Sequence, residues 1–339
     1  DGIRDVERSR GLGDVYKRQN KNFAVELNEK EIDDQRLINE LLSLFDSFID
    51  TASFLLGKKE VLNRGASAIK PVLDRFHPLT DELGIHDMIL KGYLAKRIPS
   101  GVKGFDQIIE GGFPRYSSIL LQGPPGREKE IFSYEFVRSG LLRGYSVMVI
   151  LSKYTPEDFR TQMRDLGLDT SEFEEEGDLV IVDWNAWRVE NVSGVERDEG
   201  GSVVRSSRDL SYLAIAVNKV LADLEDAAVR LAVVDVLSPA LKIFDFESVY
   251  TFTQSIRMKL RKEGVTALFL LDKEMHDEMS LSSMQDIFDG LIEIERQRVG
   301  DRIERKIGVI YMDRTYFESG YKTLEISREG IRVVSEGAS

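Results

Sequence analysis

Ser117-Ser118-Ile119-Leu120-Leu121-Gln122-Gly123-Pro124-Pro125-Gly126-Arg127-Glu128-Lys129-Glu130 reads as a buried strand, a glycine-rich turn and the start of a helix. That layout is a phosphate-binding P-loop. Backbone N–H groups of the turn and of the helix start form an anion cradle, and a Lys at the helix start bridges the terminal phosphates. Set against G-x-x-x-x-G-K-[ST], Gly123 and Lys129 are in register. The position before the Lys, usually Gly, is Glu128, and the Ser/Thr position is Glu130. The candidate nucleotide-binding residues are therefore Gly123, Pro124, Pro125, Gly126, Arg127, Glu128, Lys129 and Glu130, with two carboxylates where phosphate and magnesium are expected. A carboxylate about 4 Å from a phosphate charge costs roughly 4 kcal/mol at an effective dielectric near 20, close to three powers of ten in affinity. Arg127 offsets part of that cost if it faces the loop. Glu130 can bind magnesium directly in place of a hydroxyl, and Lys129 can instead pair with Glu128, Glu130 or Asp235 and hold the loop shut.

Downstream, apolar strands at 147–151, 179–182, 231–234 and 266–271 alternate with amphipathic helices at 156–166, 209–225 and 246–263. Continuous apolar strands interleaved with helices predict an α/β fold, a mostly parallel sheet covered on both faces. The tail differs: segments 290–295, 305–312, 321–326 and 331–334 follow one another by short turns and predict an antiparallel C-terminal extension. The stretch between Trp184 and Arg208 is rich in Gly, Ser and charge and reads as a mobile surface loop with two Trp at its base.

Upstream, Gly and Pro break helix periodicity over 97–116, leaving a short helix at 105–109. Residues 20–96 read as a small helical region, with Leu37, Ile38, Leu41, Leu42, Phe45, Phe48 and Ile49 at three- and four-residue spacing. His77 and His86 lie in or beside a turn there and carry no ligand signature. Residues 1–19, ending Asp14-Val15-Tyr16-Lys17-Arg18-Gln19, read as a translated library adapter or a disordered arm and are set aside. The P-loop domain is expected to run over 97–339.

The 339 residues contain 42% apolar and 31% charged side chains, typical of a soluble protein. There is no cysteine, so disulfides, thiolate catalysis and zinc–thiolate sites are excluded. With three histidines, a multi-histidine metal site is not expected. No apolar run reaches membrane-spanning length, and a cytoplasmic location is the expectation. The formal net charge of -13 argues against broad nucleic-acid binding.

With these residues placed, 98–334 resembles the KaiC branch of the RecA/RadA superfamily of P-loop ATPases. Ser100-Gly101-Val102-Lys103-Gly104-Phe105-Asp106 with Glu110-Gly111-Gly112-Phe113-Pro114 is similar to the segment that leads into the family's P-loop. Thr155-Pro156-Glu157-Asp158 resembles its Ser/Thr-Pro-Glu-Asp turn. Arg230-Leu231-Ala232-Val233-Val234-Asp235-Val236-Leu237-Ser238-Pro239 resembles its Walker B strand, and Glu329-Gly330-Ile331-Arg332-Val333 its usual ending. The resemblance implies a RecA-like core, ATP and Mg2+ as ligands, and Asp235 with Ser238 at the Walker B position. Asp235 and Glu130 would be the magnesium ligands. Members of the family form rings or filaments, so self-association or a protein partner is expected.

The same resemblance exposes departures. Two adjacent Glu that activate water in the family align with Lys153 and Tyr154, neither of which serves as a base near pH 7. The family's trans-acting Lys-x-Arg aligns with Tyr311-Met312-Asp313, with Arg314 one residue on. Three functions follow as alternatives. The first is a degenerate, nucleotide-sensing or scaffold regulatory protein with weak or no hydrolysis. The second is an active ATPase using Glu130 on magnesium and Glu157 or Asp272 as base. The third is a RadA-like DNA-associated paralogue using Arg257, Lys259, Arg261 and Lys262, with Arg302, Arg305 and Lys306.

Overall fold

In the computed structural model, residues 97–334 are described, apart from Glu225, Asp226, Ala228, His276, Arg328 and Glu329. The adapter read at 1–19 and the helical region read at 20–96, His77 and His86 included, lie outside the described residues.

The chain enters through β1 (Arg97–Ile98), α1 (Phe105–Ile108) and β2 (Phe113–Pro114), where β1 and β2 form a two-stranded antiparallel sheet. Gly101 sits at φ 80°, and a β-carbon there would strike the Glu135 carbonyl and Ser139 Cβ, so only glycine allows this approach to the helix that follows the P-loop. Next come β3 (Ser118–Gly123), α2 (Glu128–Leu141), β4 (Ser146–Leu151), α3 (Pro156–Asp165), α4 (Ser171–Glu175) and β5 (Leu179–Asp183). They are followed by β6 (Val195–Arg197), β7 (Val203–Ser206), α5 (Leu210–Asp223), β8 (Arg230–Val234), α6 (Leu237–Ile243) and α7 (Phe246–Lys262). The chain closes with β9 (Val265–Asp272), α8 (Glu278–Asp286), β10 (Gly290–Val299), β11 (Arg302–Met312), β12 (Lys322–Ser327) and β13 (Gly330–Val334).

Eleven strands form one sheet in the order β13-β12-β11-β10-β3-β9-β8-β4-β5-β7-β6. From β10 to β7 the neighbours are parallel, and β11 to β13 add an antiparallel extension. The expected α/β architecture with an antiparallel C-terminal extension is what the chain adopts. The pleat explains the continuous apolar strands. In β4, Val147, Val149 and Leu151 face one core with Phe132, Phe136 and Phe159, while Met148 and Ile150 face a second core with Leu213, Val217 and Leu260. Both faces are dry, so alternation with polar residues is absent.

Two expectations change. The Trp184–Arg208 stretch is not a structureless loop: β7 pairs parallel with β5, and β6 closes a hairpin on it. Val203 and Val204 are buried against the sheet, which outweighs the Gly- and Ser-rich composition around them. Trp184 is fully buried and its indole N–H donates to the Arg208 carbonyl at 3.1 Å. The β10–β11 hairpin is also longer than its apolar pattern, because the backbone ladder continues through Val299↔Arg302 after side chains have reached solvent. Among the described residues, no helix is long and apolar enough to cross a membrane.

Candidate nucleotide site at the strand ends

Strand order places the chemistry. β3, β9, β8 and β4 are neighbours, and β3 pairs Gly123 with Asp272 while β8 pairs Val234 with Ile150 and Phe269. The residues that leave these strands at their C-terminal ends, Gly123, Asp272, Asp235 and Lys153, therefore meet at one end of the sheet. A parallel sheet whose consecutive strands β3 and β4 are separated by two others opens a ligand crevice at that end.

The P-loop lies in it. Gly123 is close-packed, since a β-carbon would come within 2.8 Å of the Ile294 carbonyl oxygen. The first turn of α2 has no side-chain cap, and Glu128 and Glu130 put two carboxylates at its positive end. Lys129 is fully buried and folds back. Its ammonium donates to the Pro124 carbonyl at 2.5 Å and the Gly123 carbonyl at 3.4 Å. It also lies 3.0 Å from Asp272 Oδ1, an ion pair between two buried side chains. The partners expected for Lys129, which were Glu128, Glu130 or Asp235, are thus replaced by Asp272. β9 inserts next to β3, a neighbour relation that no local pattern in the chain encodes.

Lys153 stands among three carboxylates. Its ammonium is 3.7 Å from Glu130 Oε1, 3.7 Å from Asp235 Oδ1 and 3.4 Å from Asp272 Oδ2. Tyr154 donates its hydroxyl hydrogen to Glu130 Oε2 at 3.0 Å. Burial works against the Lys153 charge, but Asp235, Asp272 and Glu130 outweigh it and hold the pKa above the usual lysine range. Burial pushes Glu130 up, against the pull of Lys153 and of the Tyr154 hydrogen bond. Burial likewise tends to raise Asp272, yet Lys129 and Lys153 bring it below the ordinary carboxylate value.

Asp235 is fully enclosed. Burial raises it to about 6, with Lys153 opposing and the Glu130 and Asp272 charges adding to the rise. A folded-state pKa above the unfolded value means that the folded protein takes up a proton between about pH 4 and pH 6 that the unfolded chain does not. Stability from this group therefore grows as pH falls through that window. Relative to Asp235→Asn, the wild type should gain on the order of 2 kcal/mol between pH 7 and pH 4.5. Urea unfolding of both proteins across that range checks it, and parallel curves would refute it.

The remaining sequence candidates separate. Ser238 accepts a hydrogen bond from the Asp272 backbone N–H at 2.7 Å and so ties α6 to the end of β9. Arg127 turns away and donates to Gln162 at 2.6 Å, so it does not offset Glu128. Glu157 is exposed and pairs with Arg164 at 2.9 Å and Arg160 at 3.6 Å, away from the crevice. Tyr311 donates to the Gln285 carbonyl, and Arg314 turns its backbone with φ 55°, its carbonyl accepting from Arg97 at 3.0 Å. Of the basic candidates, Arg257 and Arg261 pair with Asp289, at 3.7 and 3.1 Å, and Lys259 pairs with Glu263 at 2.9 Å.

Glu128 is where the structure adds most. Its Oε1 accepts from Arg296 Nε at 2.9 Å and Arg305 Nε at 2.7 Å, and its Oε2 accepts from Arg296 Nη2. Burial alone would raise it, but the two arginines bring it down to about 2. Arg296 was absent from the sequence candidates and Arg305 stood among the DNA candidates. The signal available was parity: Arg296 lies two residues beyond Ile294 on β10, hence on the face that meets α2. Among the described residues, no group of three or more carboxylate or imidazole side chains is arranged to hold a metal ion.

A UPF0273 protein of Methanopyrus kandleri is 28% identical over 246 residues, covering 71% of this chain and 93% of the relative. A UPF0273 protein of Thermotoga maritima is 25% identical over 246 residues, covering 72% and 98%. In fold, the chain matches a crystal structure of a KaiC-like protein from Pyrococcus horikoshii with TM-score 0.54 and 23% identity, over 70% of this chain and 99% of that one. Residues 98–338 match the family model described as "ATPase: KaiC". With the strand–turn–helix of the P-loop and the sheet order in place, this chain belongs to the KaiC family of ATPases within the RecA/RadA-like P-loop superfamily.

Proposed function

We propose that this KaiC-family domain is a regulatory or scaffold protein with a degenerate ATPase site, which turns over ATP slowly or not at all. Its output would pass through a protein partner or self-association. The observation that carries the reading is the Lys153 ammonium within 3.4–3.7 Å of Glu130, Asp235 and Asp272. Glu130 and Asp235 are the side chains that would hold magnesium, and they already share an internal cation. On the phosphate side, Arg296 lies against Gly126 where even a β-carbon would collide with it, and Glu128 occupies the adjacent space. The residues as arranged do not fit a magnesium–nucleotide. Lys129, Lys153, Arg296 and Arg305 face Glu128, Glu130, Asp235 and Asp272, so formal charge balances without a ligand. An ordinary P-loop carries surplus positive potential and is completed by its anion.

The alternative of an active ATPase has less support. Glu157 is turned to α3, and Asp272, the other candidate base, is held below the ordinary carboxylate range by two lysines. The DNA reading loses Arg257, Lys259, Arg261 and Arg305 to carboxylate partners.

The test is turnover together with ligand-linked stability. ATP hydrolysis should fall well below the roughly 1 per second that marks slow ordinary enzymes. Millimolar Mg-ATP should stabilise the fold by far less than the ~2.7 kcal/mol expected at a hundredfold excess over Kd. A rate near 1 per second that disappears in Lys129→Ala would reject the reading.

A further inference from the structure

Arg296 and Arg305 stand directly opposite each other on the β10–β11 hairpin. Like charges in that position destabilise an antiparallel pair. Here both guanidinium groups converge on one carboxylate oxygen of Glu128, and Arg296 engages the second oxygen as well. Arg296 Nη1 also donates to the Pro125 carbonyl at 3.0 Å, which fixes its plane against the P-loop turn. The Glu128 side chain is 5% exposed, against 32% for Arg296 and 37% for Arg305. The anion is thus enclosed while its donors stay open to solvent. Planar guanidinium donors converging on one oxyanion suit carboxylate and phosphate equally well.

We propose that Arg296 and Arg305 form an oxyanion fork in which the Glu128 carboxylate is the built-in occupant, and that a phosphate oxyanion takes the fork when that carboxylate is withdrawn. The sequence supplies both halves: a Glu at the position before the P-loop Lys, and an Arg pair at matching register on the hairpin that passes over it. Glu128 holds the fork as a tethered ligand, with an effective concentration that a free anion must exceed. The fork's contacts are to Glu128 and Pro125, whereas the observation that carries the function proposed above is the Lys153 cluster. The inference therefore goes beyond that reading and can fail separately from it.

The probe is sodium tripolyphosphate without metal, titrated by calorimetry at low salt into the full chain. The variants are Glu128→Gln, which keeps the volume and removes the charge, and Glu128→Gly, which restores the small residue. Wild type is expected to show no binding at about 1 mM, while both variants bind at least tenfold more tightly. Adding Arg296→Gln and Arg305→Gln should abolish the gain. Wild type binding as tightly as the variants would overturn the proposal, as would folded variants that show no gain. If both variants unfold, 10 mM tripolyphosphate should restore their circular-dichroism signal, and failure to do so overturns it too. ATP forms the second arm: variants that bind ATP but not tripolyphosphate would overturn the assignment to a phosphate oxyanion. A wild type that hydrolyses ATP briskly would reject the function proposed above and leave this titration to decide the fork.

Discussion

Lys153→Ala should destabilise the protein by about 3 kcal/mol at pH 7, the lower end of what breaking a buried ion pair costs. The low end is appropriate because the side chain is 26% exposed and its three contacts are ion pairs at 3.4–3.7 Å. The cost arises from what remains. Glu130, Asp235 and Asp272 would share the single neighbouring charge of Lys129, which contacts only Asp272 among them. Asp235, already raised to about 6, would rise further, and the deficit should shrink as acid protonates it. Millimolar Mg2+ should also recover part of the loss, since a divalent ion can take the place of the missing ammonium among carboxylate oxygens. Denaturant unfolding at pH 7 and pH 5, with and without Mg2+, measures all three effects. A variant within 1 kcal/mol of wild type at pH 7 would show that Lys153 is a solvated bystander.

The second large effect is on affinity. Combining Glu128→Gly and Glu130→Thr should tighten Mg-ATP binding about a thousandfold. Removing one carboxylate some 4 Å from a phosphate is worth roughly 4 kcal/mol, which alone corresponds to that factor. Glu128→Gly frees the space beside Gly126, and Glu130→Thr supplies a neutral magnesium ligand. Calorimetry in 5 mM MgCl2, with circular dichroism to confirm the fold, decides the matter. A folded variant with unchanged Mg-ATP affinity would mean that something other than these two side chains closes the site.

Much of the architecture was legible because each element carries a local signal. Thr155 with Asp158 forms a capping box that starts α3 with Pro156 at its first turn, and the structure has both hydrogen bonds of the box. The apolar runs of β4, β5, β8 and β9 are long enough and cleanly bounded by Gly or charge. β6 and β7 were not legible, because three or four residues at a sheet edge gain their stability from β5 rather than from their own pattern. α8 was missed for a similar reason: its buried residues are Leu281 and Met284, too few to stand out as a helical stripe.

The site divides along the same line. Where the chain departs from the resembled motifs was legible position by position: Glu128, Glu130, Lys153 and Tyr154 could be named from the sequence alone. Which partners they meet was not. Glu128 looked like a charge aimed at phosphate, and it is the counter-ion of Arg296 and Arg305, some 170 residues away. Lys153 reads from the sequence as a lost base able to pair with Glu128 or Glu130; it does meet Glu130, but shares its charge with Asp235 and Asp272 at the ends of β8 and β9.

The sequence by itself determined the fold family, the P-loop and the Walker B strand, because these rest on spacing along the chain: glycines at a turn, apolar runs, a carboxylate at a strand end. Only the tertiary structure decided which charge meets which. Pairing energy depends on distance through space, and the order β10-β3-β9-β8-β4 brings together residues that chain position keeps far apart.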